Sequence, residues 1–358
     1  MSETVLVTGA DGFVGRHLVR LLAEKGNVVI ALDRGFRKAP ANWPRARVEP
    51  VEADIMNGPA IEAIMEGVDT VYHLAAYTGL WARDKRVYHA VNVEGTHLVL
   101  KAAIKNRVRR FVYCSSFVTL ISGRRKIVRP VDETARPDPS HLFGDYAQSK
   151  ARAEELVLRA SSEIEAVVVM PSAPLGPGDH NLTAPTALVR DLANGNIPAT
   201  IKQFINFVDV RELVRGIASA AEKGKSGERY LLAGENIPMQ TFLEKMEEAT
   251  GLPMPKRRIS WRIAAFATLL EEMFVSRFTG RPPKGPHAGV LMAGRRLIFK
   301  ADKAESELDF AVKPIDHALH ATLLWLQKYG HLKRSVPRLE EALKKAEGKA
   351  NNPVQKPA

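Results

Sequence analysis

Tyr146 and Lys150 stand four positions apart in "GDYAQSK" (144–150), directly after the breaker-rich run "RPDPSHLFGD". Four residues is about one helical turn, so the spacing predicts a phenol and an amine on one helix face. A free phenol, with a pKa near ~10, is a poor base at neutral pH. A neighbouring ammonium favours the phenolate and lowers that pKa. So tuned, the phenol can exchange a proton with a substrate hydroxyl or carbonyl. Ser115 and Ser116 end the apolar run "RFVYCSS", where a hydroxyl would hold the same oxygen at the carboxyl edge of a parallel sheet. A Tyr-x-x-x-Lys pair alone occurs often by chance, so its weight depends on what accompanies it.

"TGADGFVG" (Thr8–Gly15) spaces Gly9, Gly12 and Gly15 three apart, between an apolar run and a helical pattern. Such a turn brings backbone N–H groups and a helix N-terminus against a pyrophosphate, an approach that larger side chains would block. Asp11, Phe13 and Val14 complete the turn. Asp33 follows 18 residues after Gly15, near the spacing at which a carboxylate takes the adenosine ribose hydroxyls. That acid favours NAD, because it repels a 2′-phosphate. Arg34, Arg37 and Lys38 follow at once and could grip one, so NADP stays open. A bound oxidised nicotinamide, itself cationic, would push the Tyr146 pKa further down.

These residues need a scaffold, and the first half supplies one. "TVLVTGA", "NVVIALD", "RVEPVEADI", "DTVYHLAA", "RFVYCSS" and "EAVVVMPSA" read as strands. "GFVGRHLVRLLAEKG" (closed by Gly26), "NGPAIEAIMEG", the long "VYHAVNVEGTHLVLKAAIKNRV" and the "YAQSK" segment read as helices between them. The alternation predicts an α/β, Rossmann-type doubly wound parallel sheet with right-handed crossovers. We expect this dinucleotide-binding domain over 1–170, with segments of about 205–233 returning to it. A smaller, mostly helical substrate lobe is expected over 171–330. The lysine-rich 331–358 reads as a disordered tail.

Composition narrows the function classes. The 358 residues are 45% hydrophobic and 26% charged, ordinary for a soluble globular protein. The single cysteine, Cys114, excludes an internal disulfide framework and fits a reducing compartment. No signal peptide is read before "TVLVTG" and no run is long enough to span a bilayer, so a cytoplasmic location is expected. His141, His180, His287, His317 and His320 show no metal-ligand spacing, and no metal is expected. The net charge of +12 is uneven: residues 256–300 hold ten Lys and Arg against two Glu. Such a surface could meet nucleic acid, acidic headgroups or an anionic substrate.

Taken together, "TGADGFVG", "HLAA" (73–76), "YCSS" (113–116), "YAQSK" (146–150) and "PSAPLGPGD" (171–179) resemble the extended short-chain dehydrogenase/reductase superfamily from about residue 4 to 330. Within it, "GLWARD", "GERYLLAGEN" and "LMAGRRLIFKADKAESELDF" look most like the hopanoid-associated sugar epimerase and dihydroflavonol reductase-like branch, a neighbour of 3β-hydroxysteroid dehydrogenases. The resemblance implies Ser116 as catalytic serine, Tyr146 as acid/base and Lys150 as the ribose-binding, pKa-lowering lysine. It implies Asn92 as the asparagine that props the site and Asp54, with Ile55, beside the adenine. His73, Leu74, Ala75 and Ala76 would line the cofactor strand, and Pro171 and Ala173 the nicotinamide. Tyr77, Ser116, Phe117, Leu175 and Phe204 are the substrate candidates.

For the substrate, sugar-nucleotide enzymes of that superfamily hold the diphosphate with an arginine where this chain has Ile205. They tend to carry an asparagine where it has Ala173. Each lost charge-assisted bond would remove roughly 1.5–3 kcal/mol. In "WRIAAFATLLEEMFVSRF", Trp261, Ala265, Leu269, Met273, Phe274 and Phe278 form an apolar stripe, interrupted by Arg262, Glu271, Glu272 and Arg277. It reads as a lid or core helix, or as a segment lying on an anionic membrane. The expectation is an NAD(P)-dependent oxidoreductase interconverting a secondary alcohol and a ketone on an apolar substrate such as a sterol, a hopanoid or a long-chain keto-lipid. The alternatives are a nucleotide-sugar 4-epimerase or dehydratase, or a non-catalytic dinucleotide-binding scaffold. Phe117 and Val118 stand where a dehydratase would carry acids, and the intact Ser116, Tyr146 and Lys150 set argues against a scaffold, so no nucleic-acid partner is expected. Pairing through "VNVEGTHLVLKAAIKN" suggests a homodimer.

Overall fold

A computed structural model describes residues 2–37, 43–124, 130–280, 283, 285–341 and 343. The first half alternates as its pattern requires: β1 (Thr4–Thr8), α1 (Phe13–Glu24), β2 (Val28–Asp33), β3 (Val48–Glu52), α2 (Gly58–Ile64), β4 (Thr70–His73), α3 (Gly95–Lys105), β5 (Arg110–Cys114), α4 (Gly144–Arg159) and β6 (Glu165–Pro171). Then follow β7 (Ala173–Leu175), α5 (Ala184–Ala193), β8 (Thr200–Ile201), β9 (Phe204–Asp209), α6 (Val210–Lys223), β10 (Arg229–Leu232), β11 (Glu235–Pro238), α7 (Met239–Thr250) and β12 (Arg258–Ile259). The chain continues through α8 (Trp261–Leu270), a π-helical stretch Glu271–Ser276, α9 (Arg277–Thr279), α10 (His287–Ala293), α11 (Asp302–Leu308) and α12 (Asp316–Lys328).

Seven strands form one sheet in the order β10-β6-β5-β4-β1-β2-β3. Each neighbouring pair is parallel. The central strands are buried along almost their whole length because helices cover both faces. The order reverses between β1 and β4, which opens a crevice beyond their carboxyl ends, where ligands of such sheets bind. Ala10, Leu74, Ser115 and Ser172 follow the ends of β1, β4, β5 and β6 on that edge. Buried aliphatic side chains of the sheet, α1, α3, α4 and α6 make the first core. A second core joins α5, α7 and α12 to the small sheet β11-β9-β7.

In the second half, β10 joins the large sheet and α6 packs against its core, while β9 builds the small sheet. The large core also takes back Met292, Leu297, Phe299, Ala304, Leu308 and Phe310, because α11 packs on α6 and β10. Part of the tail expected to be disordered is packed: Leu332, Val336 and Leu339 are buried in the second core with side chains of α5 and α7. Residues 344–358 lie outside the described residues. Among the described residues no helix is long and apolar enough to cross a membrane.

Candidate active site

The turn after β1 is shaped by what a side chain would hit. Gly9 has φ +72°, and a Cβ there would lie 2.8 Å from the Ala75 backbone nitrogen. A Cβ on Gly15 would lie 2.1 Å from the Gly9 carbonyl oxygen. Gly12 caps α1, so the free N–H groups of its first turn, including those of Phe13 and Val14, face the crevice. The Phe13 ring is buried, edge-on to His17 at 5.7 Å, so only its backbone can serve a ligand. Asp11 is paired with Arg16 at 2.5 Å.

At the end of β2, the Asp33 carboxylate accepts from the Asp11 amide at 2.9 Å and the Arg34 amide at 2.8 Å. Burial raises its pKa, and those two N–H groups oppose the shift. A cleft of about 650 Å³ opens here, lined by Asp33, Arg34, Gly35, Glu52, Ala53 and Asp54. Asp54 holds its own turn by accepting from the Met56 amide, while Ile55 is buried, packed where Gly95 leaves room in α3. Arg37 is turned to the His180 carbonyl, at 3.2 Å, and to Asn181. Lys38 lies outside the described residues. A glycine cradle that a methyl group would fill, leading to an acid-lined cleft, fits a dinucleotide with a free ribose. The residues that would hold it are Gly9, Gly12 and Gly15 through their backbone, with Asp33 at the ribose.

At the reacting end, Ser116 sits just past β5, close enough to the Tyr146 phenol to favour its ionised form. Tyr146 and Lys150 share a face of α4, whose first residue, Gly144, has φ +80°. Lys150 donates to the Cys114 carbonyl at 2.6 Å, and its Nζ lies 4.3 Å from the Tyr113 ring centroid. The protein by itself does not acidify the phenol as the spacing suggested. Burial pushes Tyr146 up to about 12, and only Ser116 pulls against it. Burial likewise brings Lys150 down to about 8. Its ammonium is held by the Cys114 carbonyl and over the Tyr113 ring, and burial outweighs the lowering the spacing led us to expect for the phenol. Cys114 contributes its carbonyl; burial raises its thiol to about 11, leaving it inert.

Asn92 does not reach Tyr146 directly. It lies in the π-helical turn Tyr88–Glu94, where the long helix expected over this stretch changes pitch before α3. Its Oδ1 accepts from the Tyr77 amide at 2.7 Å, and its Nδ2 donates to the Tyr77 carbonyl and to Ser149 Oγ. Ser149 donates to the Tyr146 carbonyl at 2.8 Å. Asn92 thus sets the distance between the segment after β4 and the helix that carries the phenol. His73 does not line the crevice. It is fully buried, and burial holds its pKa down to about 3. One tautomer satisfies all its contacts: Nδ1 accepts from Thr8 (2.7 Å), and Nε2 donates to Thr96 (3.0 Å), which donates to the Asn92 carbonyl.

Several supporting residues escaped the sequence reading. Glu154, one further four-residue step beyond Tyr146 and Lys150, accepts from Ser115 at 2.6 Å and from Thr119, and pairs with Arg229 of β10 at 2.6 Å. The repeat of four was the available signal for Glu154; nothing local marks Arg229. Of the remaining candidates, Ala75 donates its N–H to Thr8 Oγ1, Ala76 follows it, and Pro171 and Ala173 end β6 and begin β7. Tyr77 packs edge-on to Tyr88 at 5.2 Å, and Phe117 edge-on to Phe299 at 5.5 Å. Phe204 lines a separate 180 Å³ cleft with Lys202, Arg258 and Arg296. Leu175 is a correction: fully buried in the second core, it offers no surface to a substrate.

Residues 5–233 match the family described as NAD dependent epimerase/dehydratase. A Synechocystis protein, named provisionally as a dihydroflavonol 4-reductase, is 33% identical over 93% of this chain and 97% of its own length. Sterol demethylase protein B of Methylococcus capsulatus is 30% identical over 91% of this chain and 99% of its own. A Stigmatella aurantiaca protein named 4-hydroxy-2-methyl-3-oxo-4-farnesyl-3,4-dihydroquinoline-1-oxide ketoreductase is 31% identical over 85% and 91%. In fold the chain is similar to MoeE5, solved with UDP-glucose and NAD, at TM-score 0.70 and 22% identity over 91% of this chain and 99% of that one. With this fold, this glycine cradle and these relatives, the chain belongs to the NAD-dependent epimerase/dehydratase family of extended short-chain dehydrogenase/reductases and is an NAD-dependent oxidoreductase.

Proposed function

We propose that the enzyme interconverts a ketone and a secondary alcohol on an apolar, lipid-like substrate. The observation that carries the substrate class is the residue types at two positions. Ile205 of β9 and Ala173 of β7 are apolar and half-buried against the second core, where a sugar diphosphate would want an arginine and an asparagine, and Phe117, next to Ser116, packs on Phe299. Two relatives carry names with a sterol and a farnesyl ketone, which supports the same reading.

NAD, when bound, supplies or accepts the hydride. The chain's residues manage the proton and the oxygen. In reduction, the Tyr146 hydroxyl donates its proton to the carbonyl oxygen as that oxygen gains charge, and Ser116 donates a second hydrogen bond to it. A phenol held neutral by burial carries the proton that this direction requires. In oxidation, the phenol must first lose its proton; the Lys150 ammonium, nearby in the same buried site, is the charge available to steady the phenolate.

One observation favours a nucleotide-sugar reading: Lys202, Arg258 and Arg296 converge on the Phe204 cleft and could take a diphosphate. An assay with NADH against keto-sterols, long-chain keto-lipids and UDP-glucose separates the two. The expected result is one NADH oxidised per alcohol formed from a keto-lipid. In Tyr146→Phe, turnover is expected to fall about 10²–10⁴-fold with NADH affinity unchanged. Interconversion of a UDP-sugar with no net cofactor use would refute the lipid reading.

A further inference from the structure

The segment from Trp261 to Phe278 turns its apolar side chains outward. Ile263, Phe266, Met273, Phe274, Val275 and Phe278 are each more than half exposed, Phe278 at 81%. Ile263, Phe266, Leu270 and Phe274 recur at steps of three and four, so they lie along one ridge of the helix. The inner side is different: Ala265 is buried, and Thr268 meets the His287 ring of α10. An exposed apolar ridge of this extent on a folded surface marks an interaction site.

Its surroundings indicate the occupant. Lys256, Arg257, Arg258, Arg262 and Arg296 are exposed on or beside the segment, and exposed Arg83 lies against Gly280. Of the two glutamates in 256–300, Glu272 is turned inward to accept from the His287 amide at 2.6 Å. Apolar side chains fringed by cations match the boundary between acyl chains and anionic headgroups. A Trp at the start of the segment, packed on Gly294, suits that boundary too.

The ridge adjoins the active site. α10 packs on α8 and continues to Phe299, which meets Phe117. A Cβ on Gly144, the first residue of the Tyr146 helix, would lie 3.3 Å from Ala288 of α10. Leu80, from the loop after Tyr77, reaches Gly289.

We propose that this ridge seats the protein on the surface of an anionic phospholipid bilayer, with the active-site crevice opening beside it. The docking stands apart from the substrate class; only the corollary, that substrate arrives from the bilayer, rests on the lipid reading above.

The test is co-flotation of the full chain with vesicles of phosphatidylglycerol and phosphatidylcholine, against phosphatidylcholine alone, at about 0.1 M salt. The parent should float with the anionic vesicles. Phe266→Ser/Phe274→Ser/Phe278→Ser should lower the bound fraction by about tenfold or more, with unchanged solution mass and NADH affinity. Equal flotation of the variant, or no flotation of the parent, overturns the proposal. So does a variant whose solution mass falls by half, which would assign the ridge to a second copy of the chain. Flotation is scored without turnover, so it can succeed where the keto-lipid assay fails, and the reverse.

Discussion

Lys150 is the residue where chemistry and stability conflict. A cation confined between the Cys114 carbonyl and the Tyr113 ring loses water it cannot fully replace, and its pKa falls from 10.5 to about 8. Below about pH 8 both folded and unfolded chains carry the proton, and the folded state bears the full penalty, on the order of 3 kcal/mol. Between about 8 and 10.5 the unfolded chain holds more protons, so stability from this group rises with pH. Lys150→Met should therefore gain most over the parent near pH 7 and lose that advantage as pH climbs through this window. Thermal melts at pH 7, 8, 9 and 10 measure the difference, and a gap that is flat with pH would contradict the buried-cation account. Activity should be lost throughout. The Tyr146–Lys150 spacing showed that the two groups share a face, but the sign of the phenol's shift is set by its burial, which only the tertiary structure supplies.

At the scale of elements, the site is built from strand ends and the turns that follow them. The β1–α1 turn was legible because its constraint is local: glycines at 9, 12 and 15 are needed wherever backbone must approach backbone or phosphate. Gly15→Ala tests this directly. Its methyl group would press into the Gly9 carbonyl, so the turn must open, and NADH affinity should drop about tenfold or more. Fluorescence titration reads it; an affinity equal to the parent's would mean that the cradle is looser than described. The π-helical turn at Tyr88–Glu94 was not legible. Its residues suit an α-helix, and the changed pitch is set by tertiary partners, with Asn92 bridging Tyr77 and Ser149.

At the scale of the molecule, β10 fastens the catalytic edge from the far side of the sheet. Arg229 is buried with Glu154 and also donates to the Glu133 and Ala135 carbonyls on the approach to α4. Glu154→Gln leaves that guanidinium buried without its counter-charge, which should cost about 3–5 kcal/mol of unfolding free energy. Urea unfolding checks it, and a loss under about 1 kcal/mol would show that the pair is solvated. Arg229 and Glu154 are distant in sequence, so no spacing rule connects them. The same holds for Met292, Leu297 and Phe299: they lie far down the chain from the large sheet but pack into its core.

By itself the sequence determined the alternation of strand and helix, the glycine turn, the acid at the end of β2 and the shared face of Tyr146 and Lys150. Each follows from periodicity or backbone sterics within a few residues. Only the tertiary structure decided that Leu175 is core, that Lys150 is drawn to the Cys114 carbonyl, that Glu154 meets Arg229 and that the Trp261–Phe278 ridge faces outward. Burial and charge pairing depend on what the rest of the chain brings alongside, and no local pattern encodes that neighbour.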